Sequence, residues 1–150
     1  MTMILDNLKE TVDTLNAIAQ LEIDDAHAYN QAISNLEDVT LKDNFLTFKV
    51  DCERHIGETS QLIKELGGEP PEYSRDFKGY LITGYTAIRS MMGTKGALEA
   101  MQTNEKLTVR LYEAALQKNI TPTAKGLLAK NLMDARRHLN FIESSIAATS

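Results

Sequence analysis

The chain has 150 residues, of which 43% are hydrophobic and 25% charged, with one cysteine and no tryptophan. This length and composition suit a single globular domain over residues 1–150 and exclude a disordered chain. The 16 basic and 21 acidic residues give a net charge of -5, so we expect no nucleic-acid or membrane partner. No apolar run could span a bilayer, the first residues lack a signal-peptide pattern, and one cysteine cannot form an internal disulfide. We therefore expect a cytoplasmic protein.

The first half of the chain shows the hydrophobic period of α helices. The first apolar stripe predicts a helix over about residues 3–37. Thr40 is the expected N-cap of a second helix that ends at Gly67. The two prolines at 70 and 71 then predict a stiff loop, because neither fits a helix interior.

Three more helices are predicted after that loop. A short helix over 77–92 is expected to end at the glycine-containing stretch 93–96. A long helix over about 98–116 follows, and the last begins with Thr121 as cap and Pro122 at its first position. No segment shows the alternation that is typical of strands. The sequence therefore predicts an all-α protein, a four-helix bundle with a short extra helix in the connection between long helices 2 and 3.

The chain also resembles itself at a shift of 83 residues. From residue 8 to 62 the shift gives 11 identities, where about three are expected by chance. Five of the polar identities pair Glu22 with Glu105, Tyr29 with Tyr112, Asp51 with Asp134, Arg54 with Arg137, and His55 with His138. This internal repeat predicts a duplicated helix–loop–helix pair with the short helix as its bridge.

Several of the repeated polar residues lie on the apolar faces of the predicted helices. At about 100° per residue, four of them point into the bundle, one from each long helix: Glu22, His55, Glu105 and His138. Asp51 and Asp134 precede the two histidines by one helical turn and lie toward the edge of each face. Buried carboxylates must stay neutral, find partners or bind a metal, because an unpaired buried charge is costly.

Carboxylates and imidazoles at one level of a helical bundle can form the ligand set of a dinuclear metal centre. Oxygen and nitrogen donors of this kind suit iron or manganese, and zinc less well. The expected roles give one metal to Glu22 with His55 and the other to Glu105 with His138. The aspartates could bridge or support this centre, and Tyr29 and Tyr112 could hydrogen-bond a ligand or donate an electron.

A different class of function remains open on the same residues. The acids and histidines could pair with each other and fix the helix register of a non-catalytic interaction module, which could be a homodimer, without any metal. His27 lies about 140° from Glu22 on the helical wheel and is expected to face solvent or a helix boundary. Cys52 lies on an apolar stripe and is expected to be a buried, inert thiol.

A helix-borne Glu followed seven residues later by Tyr occurs twice, and this pattern resembles the ferritin-like superfamily of ferritins, bacterioferritins and rubrerythrins. The Leu-Gly-Gly-Glu-Pro stretch at 66–70 and the Asn104-Glu105 helix resemble, more narrowly, an uncharacterised bacterial family of small ferritin-like four-helix-bundle proteins. The resemblance covers about residues 5–147 and implies the fold. Our first hypothesis is therefore a ferritin-like bundle with a dinuclear iron or manganese centre and a redox or oxygen-linked role in handling metal or oxidative stress.

The sequence departs from the superfamily pattern at two positions. The Glu of each Glu-x-x-His motif would fall on Cys52 and Ala135, which are not carboxylates. The site could therefore hold two metals, one or none. Whether the protein is an enzyme stays open, although an oxidoreductase is the class that the resemblance implies. A cage-forming iron store is disfavoured, because nothing in the chain resembles an added fifth helix for cage assembly.

Overall fold

The four long helices predicted from the sequence all form in the computed structural model, which describes residues 2–73 and 93–149. They are α1 (Thr2–Ile33), α2 (Val39–Glu65), α3 (Gly93–Leu116) and α4 (Pro122–Thr149). The described ranges contain no strand, so the all-α prediction is confirmed for them. No helix in this part of the chain is long and apolar enough to cross a membrane. The predicted short helix over 77–92 lies outside the described residues.

The helices pack as two pairs, α1 with α2 and α3 with α4, and the pairs meet through α1–α3 and α2–α4 contacts. Two apolar clusters fill the bundle interior. One contains Tyr29, Phe45 and Met101, and the other contains Leu15 and Leu128. A layer of buried polar side chains lies between these clusters along every helix. The fold therefore places acids and imidazoles at mid-height of the bundle.

α1 ends at Ile33, four residues before the predicted end at 37. The Ser34 hydroxyl and the Asn35 amide both donate hydrogen bonds to the Gln31 carbonyl, at 2.7 and 3.0 Å. Short polar side chains that bond the preceding turn compete with continued helix. The hydrophobic period carries no information about this competition, so the predicted end of α1 was wrong.

The N-cap of α2 is Asp38 and not Thr40, which lies within the first turn. Asp38 Oδ1 accepts a 2.9 Å hydrogen bond from the Leu41 amide. We expect Asp38→Ala to lower the free energy of unfolding by about 1 kcal/mol. We expect Thr40→Ala, the matched control, to change it by less than about 0.5 kcal/mol. Urea denaturation measures both, and a larger loss for Thr40→Ala would contradict the assignment. The predicted cap of α4 is confirmed, because the Ala124 amide donates to Thr121 Oγ1 at 3.3 Å.

The stretch 93–96 forms the first turn of α3, which begins five residues before the predicted start at about 98. Gly93 has a φ of 72°, in the left-handed region that favours glycine, and the chain continues from it directly into α3. Gly96 costs this helix about 1 kcal/mol relative to alanine. Burial of Ala97 and Leu98 immediately after it offsets that cost.

His27 is buried, with 3% of its surface exposed, so the expectation of a solvent-facing side chain was wrong. The segment after α2 returns over α1, and the Tyr73 ring lies 5.4 Å from the His27 ring. Burial, followed by repulsion from Lys49, lowers the pKa of His27. Residues 21–29 are buried on every side of α1, so the direction in which a side chain points around the helix axis did not decide its exposure there.

Candidate metal centre

Glu22 and His55 form one half of the buried polar layer, with 2% and 1% of their surfaces exposed. The Glu22 carboxylate contacts His55 Nδ1 and accepts a 2.9 Å hydrogen bond from the Tyr112 hydroxyl. The other ring nitrogen, His55 Nε2, lies 2.8 Å from Asp134 Oδ2. Arg54 donates to that same aspartate oxygen at 2.8 Å. The imidazole is therefore fixed at both nitrogens, with Nδ1 on the fully buried side.

Glu105 and His138 form the other half with the same contacts. His138 Nδ1 lies 2.8 Å from Glu105 Oε2, which accepts a 2.8 Å hydrogen bond from the Tyr29 hydroxyl. His138 Nε2 lies 2.8 Å from Asp51 Oδ2. Arg137 donates to that oxygen, also at 2.8 Å. Each contact of the first half thus recurs here between the equivalent atoms.

These two sets of contacts are related by a pseudo-twofold arrangement. Every residue of the second set stands 83 positions from its counterpart, the same spacing that separates Asp25 from its hydrogen-bond partner Thr108. The Glu–His contacts stay within one helix pair, whereas the Asp–His, Arg–Asp and Tyr–Glu contacts cross between pairs. The polar layer therefore joins the two halves of the bundle.

Both histidines are expected to be charged in the metal-free protein. Each ring nitrogen meets a carboxylate, and ionised carboxylates only accept, so both nitrogens must donate. Burial alone would lower the pKa of His138, but hydrogen bonds to Asp51 and Glu105 outweigh it and raise that pKa to about 9. Burial likewise opposes the charged form of His55, and the nearby Glu22 and Asp134 carboxylates nevertheless raise its pKa.

The two aspartates are held in the ionised form by the same contacts. Burial favours the neutral form of Asp134, yet hydrogen bonds from His55 and Arg54 lower its pKa to about 2. For Asp51, hydrogen bonds from His138 and Arg137 likewise overcome burial and hold the pKa well below its usual range. The two histidines and the two arginines thus donate hydrogen bonds to the two aspartates of the layer.

The structure brings all the sequence-predicted site residues into this one layer: Glu22, His55, Glu105, His138, Asp51, Asp134, Tyr29 and Tyr112. The two aspartates do not lie between the glutamates. Each holds the outer nitrogen of the opposite histidine, as carboxylates do when they orient a metal-binding imidazole. The inner donors are consequently two glutamate carboxylates and two Nδ1 nitrogens.

Sequence reasoning missed a fifth carboxylate, that of Asp25, which is completely buried one helical turn after Glu22. The Thr108 hydroxyl donates to Asp25 Oδ2 at 2.7 Å. Donor atoms of Glu22, Asp25 and Cys52 all lie within 4.8 Å of one another. Burial raises the pKa of the Cys52 thiol, and the surrounding carboxylates raise it further. The signal for Asp25 was its spacing of three residues from Glu22, which puts both on one helix face.

Comparison with known proteins gives a family match and several structural neighbours. A family model described as a domain of unknown function (DUF2383) matches residues 10–118. Among curated proteins, none matches the chain in sequence. The solved structures that match include a ferritin-like, diiron-carboxylate protein from Bacillus anthracis str. Ames. Its TM-score is 0.72 and its identity 20%, over 93% of this chain and 97% of that chain.

Two bacterioferritins are also similar in structure. That of Desulfovibrio desulfuricans, solved for its diiron site in different catalytic states, has a TM-score of 0.76 and 23% identity, over 95% of this chain and 81% of that chain. The bacterioferritin of Rhodobacter capsulatus, with a metal-free dinuclear site and haem iron, has a TM-score of 0.71 and 16% identity. The match covers 93% of this chain and 85% of that chain. At these identities the likeness shows the fold, which is the ferritin-like four-helix bundle.

Proposed function

The chain belongs to the DUF2383 family, and we propose that its ferritin-like bundle binds iron in the buried polar layer. The observation that carries this proposal is the pair of Glu–His contacts, each with an Nδ1 nitrogen and a carboxylate on the buried side. The aspartate on each outer nitrogen supports it, because metal-binding histidines donate their second N–H to such a group. The structural neighbours described as diiron proteins support the same chemistry.

The donor set fits one metal ion in each half of the layer. Each half offers at least one carboxylate and one imidazole, a mixture that suits iron. Cys52 and Ala135 stand where bridging carboxylates are expected, so exogenous groups would have to complete the coordination. Bound iron would supply redox chemistry toward oxygen or peroxide, as a role in metal or oxidative-stress handling requires. The same oxygen and nitrogen donors would accept manganese, but no neighbour named above points to manganese or zinc.

The hydrogen bonding of the metal-free layer favours a second candidate function. Each glutamate, aspartate and histidine of the layer already has hydrogen-bond partners, so the network holds together without an ion. Contacts that cross between the helix pairs would then fix the register of one pair against the other, as buried polar groups do in some coiled coils. In that case the protein would be a non-catalytic helical module.

Iron binding by the purified protein under anaerobic conditions separates the two candidates. We expect the wild type to bind up to two Fe(II) per chain in a calorimetric titration, with iron confirmed by elemental analysis. We expect Glu22→Gln/Glu105→Gln to weaken binding more than about hundredfold, because even loss of a supporting partner costs 10–100-fold in metal affinity. The matched control, Asp13→Asn/Glu113→Gln, removes two exposed acids and changes net charge equally.

The titrations can give three results, and each of them tests the proposed iron centre. Iron uptake that is lost in Glu22→Gln/Glu105→Gln and kept in Asp13→Asn/Glu113→Gln supports the proposed centre. Uptake that both variants keep would place iron elsewhere and overturn it. A wild type that takes up no Fe(II) would also overturn it and leave the helical module as the remaining function. Circular dichroism of each variant in chelator establishes that the bundle still folds.

A further inference from the structure

The two halves of the polar layer are not equivalent, because the pseudo-twofold arrangement breaks at a few buried positions. The buried substitutions that relate the halves include Asp25 to Thr108, Cys52 to Ala135, Asn131 to Phe48 and Thr59 to Ile142. In each case the first residue has a polar or metal-binding group that the second lacks or offers more weakly. These four differences add donor or polar groups to the Glu22 half, whereas one buried difference, Leu21 to Asn104, has the opposite direction.

The extra donors gather around Glu22. The ligand atoms of Glu22, Asp25 and Cys52 lie within 4.8 Å of one another, and all three residues are buried. A cation with ligand distances of about 2.0–2.3 Å separates its donors by at most about 4.6 Å. The donor atoms of these three residues therefore need to move little or not at all to coordinate one ion. His55 Nδ1 contacts Glu22 and offers a nitrogen donor at the edge of the group.

The surroundings of this half are also more polar than those of its counterpart. Phe48 stacks on the His138 ring at 4.2 Å between ring centroids in the Glu105 half. By the pseudo-twofold relation, Asn131 takes the place of Phe48 beside His55. Asn131 is completely buried, and neither atom of its amide has a hydrogen-bond partner among the described residues. A buried amide without a partner is costly and indicates an additional polar ligand nearby.

We infer that the first metal ion binds in the Glu22 half, where the Asp25 carboxylate and the Cys52 thiolate join Glu22 as ligands. This inference rests on the proposed function and adds which half is occupied first and by which donors. The thiolate shifts the preference toward Fe(II), Co(II) and Zn(II) and away from Mn(II), which favours oxygen donors. The counterpart half offers Thr108 and Ala135 at the equivalent positions, so its metal binds more weakly.

Cobalt(II) tests the inference, because a thiolate–Co(II) bond produces a near-ultraviolet charge-transfer absorption that oxygen and nitrogen ligands do not. We expect the first equivalent of Co(II), added anaerobically to the wild-type protein, to produce this absorption. Cys52→Ala, which copies Ala135, should abolish the absorption and weaken the first binding step at least about tenfold. Asp25→Thr, which copies Thr108, should weaken binding similarly but keep the absorption.

Ile142→Val is the packing control, since it trims a buried side chain without touching a donor and should leave both readouts unchanged. Cobalt that binds the wild type without thiolate absorption overturns the inference and leaves the proposed metal centre intact. Equal first-step affinity in the wild type and in Asp25→Thr also overturns it. A wild type that binds neither Co(II) nor Fe(II) overturns the inference and the proposed function together. The wild-type absorption tests the inference even where a variant fails to fold.

Discussion

Replacing His138 by leucine in the metal-free protein is expected to lower the free energy of unfolding by about 3–5 kcal/mol. The substitution leaves the Glu105 carboxylate 1% exposed, with its contact from the imidazolium gone and the Tyr29 hydroxyl remaining. A buried charge that loses its partner cannot recover its solvation. The loss is therefore larger than the contribution of the pair to stability.

Removing both members of the pair should cost less than removing the histidine alone. We expect His138→Leu/Glu105→Leu to lose about 1–3 kcal/mol, because the remaining defects are the Tyr29 hydroxyl without its acceptor and Asp51 without its contact from His138, while Arg137 still donates to Asp51. Urea denaturation in chelator at neutral pH gives the double-mutant cycle. The exposed pair Arg136 and Glu113, 2.8 Å apart, provides a control cycle with coupling of about 1 kcal/mol or less. Additive losses for the buried pair would mean that the two groups do not depend on each other.

The helices and the polar layer were predictable because both follow from periodic features of the sequence. Period 3.6 identified the four long helices, and the shift of 83 residues identified which polar residues recur on their apolar faces. The position of Asp51 and Asp134 near the edge of each face was also predictable. Their partners were not, because the pairing of each aspartate with the opposite histidine depends on how α2 and α4 align.

Asp25 and His27 show where a prediction that assumes one buried face per helix fails. Residues 21–29 of α1 are buried all round, because other helices and the segment carrying Tyr73 cover the helix on more than one side. A helical wheel assigns one buried face, so it assigned His27 to solvent or a helix boundary and gave Asp25 no role. Cys52 was correctly predicted to be buried, but its proximity to two carboxylates depends on the packing of α2 against α1.

The metal-free protein is expected to lose stability as the pH rises from about 6.5 to about 9. The folded protein holds the His138 proton with a pKa of about 9, above the ordinary value near 6.5. Its contribution is therefore complete below about pH 6.5 and is lost as the pH passes through 9, by up to about 3 kcal/mol. The raised pKa of His55 adds a loss in the same direction. Urea denaturation in chelator at several pH values measures this slope, which His138→Leu/Glu105→Leu should reduce.

Metal affinity should change in the opposite direction over the same pH range. A metal can bind Nδ1 of His55 or His138 only after the proton on that nitrogen leaves, so protonation competes with the ion. Below the raised pKa values, each histidine that binds metal should increase the apparent affinity by about tenfold per pH unit. Titrations of Cys52→Ala with Co(II) at pH 7.0 and 8.0, in buffers of different ionisation enthalpy, measure both the affinity and the protons released, with no contribution from the thiol. Affinity that does not change with pH, with no proton released, would mean that neither imidazole is a ligand, whatever else in the layer holds the ion.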